Sequence, residues 1–212
     1  SSKVPASFTR KGEVWEVTAR ADDGYGPGPA ASATVTVGNA APSCDGVLVL
    51  PSSGGALTPF DCSCTAWSDP DEADTPSWTC LWSSQGEPVG PQDGSCELDA
   101  AFTERGMKLV CSLIPSDGDA EGLPTASEPV SVLNTPPTAP VIAISPGAAT
   151  AATELTCDVI QASSDVDEDT VEYTIAWRVD GDIVEGFTGP KVAAGLLGGS
   201  KGDEITGEMS AS

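Results

Sequence analysis

The chain has 212 residues, with 32 acidic against 9 basic side chains, a formal net charge of −23 and no histidine. Such a charge repels phosphate backbones and anionic lipid, so nucleic acid and membrane surfaces are not expected partners, whereas multivalent cations are. Without histidine there is no Ser-His-Asp or Cys-His arrangement and no His-ligated zinc, although paired carboxylates remain available as acid and base.

Gly (23) and Pro (18) are abundant, which suits short strands joined by turns rather than helices. Low pI with much Ser, Thr and Pro also marks disorder, but regularly alternating Val and Trp argue against it. In chain order, "FTRKGEVWEVTARADDGYGPG" (8–28) and "SATVTVGN" (32–39) read as two strands around an Asp-Gly turn. Val35 and Val37 face one way, Thr34 and Thr36 the other. After the linker "NAAPS" (39–43) come strand A, "GVLVLP", and strand B, "ALTPFDCSC". The acidic loop "SDPDEAD" (68–74) leads to strand C, with Trp78, Cys80 and Trp82 pointing inward. Further short strands, "FTERG", strand F, an Asp-Gly turn at 117–118 and strand G, "SEPVSVLN", complete the run.

The pattern then repeats. "DTPSWTCLWSSQGEPV" (74–89) lies over "DTVEYTIAWRVDGDIV" (169–184) at an offset of 95 residues, matching Asp74 to Asp169, Trp82 to Trp177 and Gly86 to Gly181. "NAAPS" matches "NTPPT" (134–138), Pro51 matches Pro146, and the strands of 8–39 match those of 102–134. Three segments follow: 1–38, the C-terminal part of one repeat; 39–133, a complete disulfide-rich repeat; and 134–212, an incomplete one. The chain is expected to be a cut from a longer array. No apolar run approaches the ~18 residues of a membrane span, and any secretory leader is expected outside these residues.

Seven short strands with a Trp on C and a Cys on both B and F predict an all-β fold, with tandem immunoglobulin-like β-sandwich domains in a linear array. Six of the seven cysteines fall within 68 residues. Without CxxC knuckles or histidine they read as disulfides of an oxidising compartment rather than a zinc site. Six cysteines allow 15 connectivities. The sandwich favours Cys62–Cys111 as the bridge between sheets, Cys44–Cys64 between A and the end of B, and Cys80–Cys96 as the remainder. Cys157 matches Cys62, but Gly207 stands where Cys111 would be. Cys157 is then a buried free thiol, a partner for a cysteine beyond residue 212, or a link to another chain.

The residues "SDPDEAD", "SDVDED" (164–169), Trp82, Trp177, the Asp-Gly turns at 23–24 and 117–118, "NAAP" and "NTPP" resemble a known group. The chain is similar throughout its length to the tandem Ig-like repeats, related to PKD and cadherin-like domains, of secreted and cell-surface bacterial proteins. The resemblance implies extracellular stalks, adhesins, fibres, or spacers attached to secreted hydrolases. The Cys-dense middle repeat departs from that pattern.

In "SDVDED", Asp165, Asp167 and Asp169 fit the first three ligand positions of an EF-hand. Thr170 stands where Gly is needed and Ala176 where a bidentate Glu is needed, which excludes that motif. In a sandwich the loop is instead B–C, at the pole where the chain enters. One junction is then expected to gather Glu13, Asn39, Asp69, Asp71 and Asp74, with Asp117 or Asp119 close by. The next gathers Glu104, Asn134, Asp165, Asp167 and Asp169. Asn39 and Asn134 are the only two Asn of the chain and share one linker position. Clustered carboxylates repel unless a cation lies between them, and hard oxygens in that number suit calcium better than zinc or magnesium. The competing expectation is a solvated acidic edge that deters aggregation.

The function expected is a non-enzymatic extracellular structural or adhesive module, a calcium-stiffened array forming part of a surface stalk or filament. Its partners are neighbouring repeats of the same long chain and identical chains in a filament, with no membrane insertion in this segment. The alternative is a carbohydrate- or protein-binding accessory module of a secreted bacterial hydrolase, with Trp67 as an exposed platform.

Overall fold

The structure is a computed structural model and describes residues 3–71 and 74–212. Ala73, the extra residue of the first acidic loop, lies outside the described residues. These residues form an all-β protein, in several mostly antiparallel sheets. Two compact units divide the chain: Ser1–Gly54 with Thr58–Val132, and Gly55–Leu57 with Leu133–Ser212. The first 38 residues thus cluster with the repeat that follows them.

The first unit opens with a hairpin of β1 (Val14–Asp22) and β2 (Pro27–Thr36). There follow β3 (Ser43–Cys44), β4 (Val47–Leu50), β5 (Ser53–Gly54), β6 (Phe60–Cys64), β7 (Trp67–Ser68) and β8 (Ser77–Ser84). Next come β9 (Glu87–Pro88), β10 (Glu97–Leu98), β11 (Lys108–Ser116), β12 (Thr125–Ala126) and β13 (Val130–Val132). One sheet has the order β10-β6-β4; the other runs β5-β13-β11-β8-β9, with β12 also on β11. The pair β3–β7 stands apart and places Trp67, half-buried, opposite Cys44.

Period-two alternation builds the core. In β11 Leu109, Cys111, Leu113 and Pro115 are buried while the residues between them are not. Leu109, Cys111 and Leu113 meet Phe60 and Cys62 from β6 and Cys80 and Trp82 from β8 in one apolar cluster. Burying each such side chain contributes about 1.5–3 kcal/mol. Three disulfides join Cys62 to Cys111, Cys44 to Cys64 and Cys80 to Cys96. The first ties β6 to β11, and so one sheet to the other. In β1 and β2 the alternation has no core to face: Val14, Val17 and Val35 are all more than 60% exposed.

The second unit holds β14 (Val141–Ser145), β15 (Glu154–Gln161), β16 (Tyr173–Val179), β17 (Asp182–Ile183), β18 (Lys191–Ala193) and β19 (Ile205–Ala211). Its sheets run β14-β15-β18 and β17-β16-β19. Leu155, Cys157, Ile175, Trp177, Val192, Ala194 and Leu197 form the core. Trp177 pairs with Gly207 across β16 and β19, as Trp82 pairs with Cys111 across β8 and β11. The repeat therefore holds at the level of register.

Cys157 carries no disulfide and is buried, and burial pushes its thiol pKa up. A Cβ built on Gly207 would lie 3.7 Å from its Sγ, at the place Cys111 occupies opposite Cys62. Gly207→Cys is therefore expected to close a disulfide with Cys157. Thiol titration should find no free thiol in the variant, against one in the parent. The melting temperature of the second unit should rise. Two titratable thiols would contradict the equivalence.

Candidate functional site

The acidic loop of each unit makes the same two hydrogen bonds. In the first, Asp71 N donates to Asp69 Oδ1 (2.7 Å), and Asp71 Oδ2 accepts from Ala40 N (2.8 Å). In the second, Asp167 N donates to Asp165 Oδ1 (2.8 Å), and Asp167 Oδ2 accepts from Thr135 N (2.6 Å). Ala40 and Thr135 each follow the linker Asn. Asp69 and Asp165 thus fold the loop by accepting a backbone N–H two residues on. Asp71 and Asp167 spend one oxygen binding the linker backbone, with the strength of a charge-assisted hydrogen bond. Asp169 N donates to Asp165 Oδ1 at 3.4 Å.

Around the first loop the charges are concentrated. Asp69, Asp74 and Asp117 each present a carboxylate oxygen, all within 4.8 Å of one another. Asp69 Oδ2 is buried without a hydrogen-bond partner. Asp117 caps its own turn, its Oδ1 accepting from Asp119 N (2.7 Å) and Ala120 N (2.6 Å), while its Oδ2 accepts from Asn39 Nδ2 (2.8 Å). The Asn39 bond, followed by that from Ala120, lowers the Asp117 pKa from 3.8 to about 2.

The cation of this cluster comes from the chain. Lys11 Nζ lies 2.9 Å from Asp74 Oδ2 and 2.6 Å from Asp119 Oδ2. Those hydrogen bonds, Asp119's first, hold the ammonium well above its ordinary pKa. Glu13, from the same turn, is engaged locally: its Oε2 accepts from Trp15 Nε1 (2.9 Å), the larger cause of its lowered pKa, and from Arg10 N (3.0 Å). The turn before β1 therefore delivers a cation, not a ligand oxygen, to the acidic loop. Glu104 belongs to the first unit, and Asn134, Asp165, Asp167 and Asp169 to the second.

Lys11 was not among the residues expected at the junction, yet the sequence carries a signal for it. "RKG", "ERG" and "SKG" place Lys11, Arg105 and Lys201 immediately before Gly12, Gly106 and Gly202, using three of the nine basic residues. All three glycines have positive φ, 82°, 88° and 104°, a conformation that favours Gly and so fixes where the turn, and its cation, must stand.

Chemically, the oxygens of Asp69, Asp74 and Asp117 suit a hard divalent cation such as calcium better than zinc. Lys11 competes for that place by neutralising Asp74. The cysteines Cys62, Cys80 and Cys111 also lie close together, but all three are in disulfides and offer no thiolate. Among the described residues no helix is long and apolar enough to cross a membrane. No family model matches the chain, and no curated protein matches it.

The pH dependence follows from Asp117. Its folded-state pKa lies below the ordinary value, so its bond to Asn39 stabilises the loop at pH above that value and is lost as pH falls through the lowered one. Acid should therefore loosen the Asn39–Asp117 contact between pH 4 and pH 2, a window set by the ordinary 3.8 and the lowered value of about 2. The Asn39 side-chain amide resonances, followed by NMR, should shift across that window. Movement complete before pH 4 would show that Asp117 is not held this way.

Proposed function

We propose that this chain is a non-enzymatic structural module, a linear array of immunoglobulin-like β-sandwich repeats of the PKD and cadherin-like kind. It works outside the cell as part of a surface stalk or filament, with neighbouring repeats and identical chains as partners. The observation that carries this reading is the linker bond made twice, Asp71 to Ala40 N and Asp167 to Thr135 N. A freely jointed linker has no use for a half-buried charge-assisted hydrogen bond, whereas a rod needs its linker held at each repeat. Disulfides in the middle repeat support the extracellular reading, because such bonds persist in oxidising compartments.

Calcium fits the reading through Asp69, Asp74 and Asp117, whose mutual repulsion a divalent ion would relieve more fully than Lys11 alone. Small-angle scattering with and without a chelator tests it. Removing calcium should increase the flexibility and change the maximum dimension, and Lys11→Met should make the chelator's effect larger. A scattering profile that chelator leaves unchanged in both proteins would exclude metal stiffening.

A further inference from the structure

Outside the acidic loop, the first unit holds a cavity of about 260 Å³ lined by Trp82, Asp93, Ser95, Glu97, Asp99 and Phe102 among others. Trp82 is 2% exposed, and its Nε1 is buried with no hydrogen-bond partner among the described residues. A buried indole N–H left this way costs free energy, which core tryptophans normally avoid by finding an acceptor. Trp177, at the same position of the second unit, finds one: its Nε1 donates to Gly189 O at 3.0 Å.

The units differ in the segment that supplies this acceptor. Leu98 pairs with Phe60 as Val192 pairs with Leu155. Ser95, three residues before Leu98, is therefore the counterpart of Gly189, three before Val192. The stretch from Trp82 to Leu98 is one residue longer than that from Trp177 to Val192. On either side of Ser95 the chain is held to Cys80 instead, by the bond from Cys80 N to Gly94 O and by the Cys80–Cys96 disulfide. Ser95 thus stands in the cavity wall, and the donor that the second unit pairs internally is left for what enters.

The walls decide what fits. Asp93 and Asp99 each use Oδ1 to accept a backbone N–H, from Ser95 (3.0 Å) and Ala101 (2.8 Å), and each carries a second oxygen. Glu97 is exposed, and Phe102, 40% exposed, adds apolar surface. An anion would satisfy the indole but be repelled by three carboxylates. A cation would suit the carboxylates but offer the indole no acceptor. Among the described residues these carboxylates do not converge closely enough to share a metal. A hydroxyl accepts and donates at once. The volume is several times the roughly 30 Å³ of one water, yet below the roughly 300–1,000 Å³ of pockets for drug-sized ligands. We propose that this cavity binds a neutral pyranose sugar. One hydroxyl accepts from Trp82 Nε1, others donate to Asp93, Glu97 and Asp99, and the C–H face of the ring packs on Phe102. The site lies in the first unit alone and needs no cation, so it stands whether or not calcium stiffens the array.

Titration of the full chain with the methyl glycosides of glucose, galactose, mannose and N-acetylglucosamine, in chelator, tests the proposal by NMR of the indole N–H groups. At least one glycoside should move the Trp82 resonance saturably and leave that of Trp177 in place. Glu97→Gln, on an exposed side chain, should weaken that binding about tenfold, the worth of a hydrogen bond to a charged group. Asp99→Asn, which keeps an oxygen for Ala101 N, should weaken it as much. A Trp82 resonance that no glycoside moves would overturn the proposal and leave water as the indole's acceptor. So would one that methylammonium moves and the glycosides do not. Binding that both substitutions leave at full strength would overturn it equally, by placing the sugar on another surface.

Discussion

Trp177→Ala is expected to cost the second unit about 3–5 kcal/mol, the range for removing a large aromatic from a packed core. The indole is 0% exposed and its Nε1 donates to Gly189 O at 3.0 Å. Truncation therefore opens a cavity and leaves that carbonyl without its donor. This unit has no disulfide to restrict its unfolded chain. Small domains are stable by roughly 5–15 kcal/mol, so the loss brings the unit close to unfolding while the first unit is untouched. Hydrogen exchange by mass spectrometry separates the two outcomes. Segments of β15, β16 and β19 should exchange much faster, and β8 and β11 should not. Protection in β16 unchanged within a factor of ten would mean that Trp177 does not hold this core.

The second large effect concerns the bridge between the sheets of the first unit. Cys62 and Cys111 are 49 residues apart in sequence, and closing a loop of that length is worth about 4 kcal/mol in the chain-entropy account. The double variant Cys62→Ala, Cys111→Ala should lose about that much, with a further contribution from the two buried sulfurs. Chemical denaturation read by circular dichroism should show the transition of the first unit moving to lower denaturant. That of the second should stay in place. Reductant added to the parent chain should act on the same transition and spare the other. Equal movement of both would mean that the units do not unfold independently.

Much of this fold was legible in the residues. The alternation in β11 and β16, the positive-φ glycines of the turns and the offset between the two tryptophan strands all follow from local period and from comparing the chain with itself. The three disulfides join the pairs that strand order suggested, because strands B and F face each other once the sheet order is set. The acidic loops were legible as equivalent loops for the same reason, and their equivalence extends to individual hydrogen bonds at Ala40 and Thr135.

The division of labour among the carboxylates was not legible. Asp71 and Asp167 have the spacing of ligands, yet each binds a backbone N–H of the linker. Lys11 reaches partners 63 and 108 residues away, and nothing in its own neighbourhood names them. Alternation in β1 and β2 likewise reads as a half-buried hairpin, whereas Val35 is exposed because no second layer covers it.

By itself the sequence determined the all-β class, the repeat and its turns, since these depend on periodicity, on φ preferences and on spacing along one chain. Only the tertiary structure decided which charges meet and which side chains find a core. Those depend on distance through space, where a Coulomb contact or an apolar cavity is made by residues that the sequence keeps far apart.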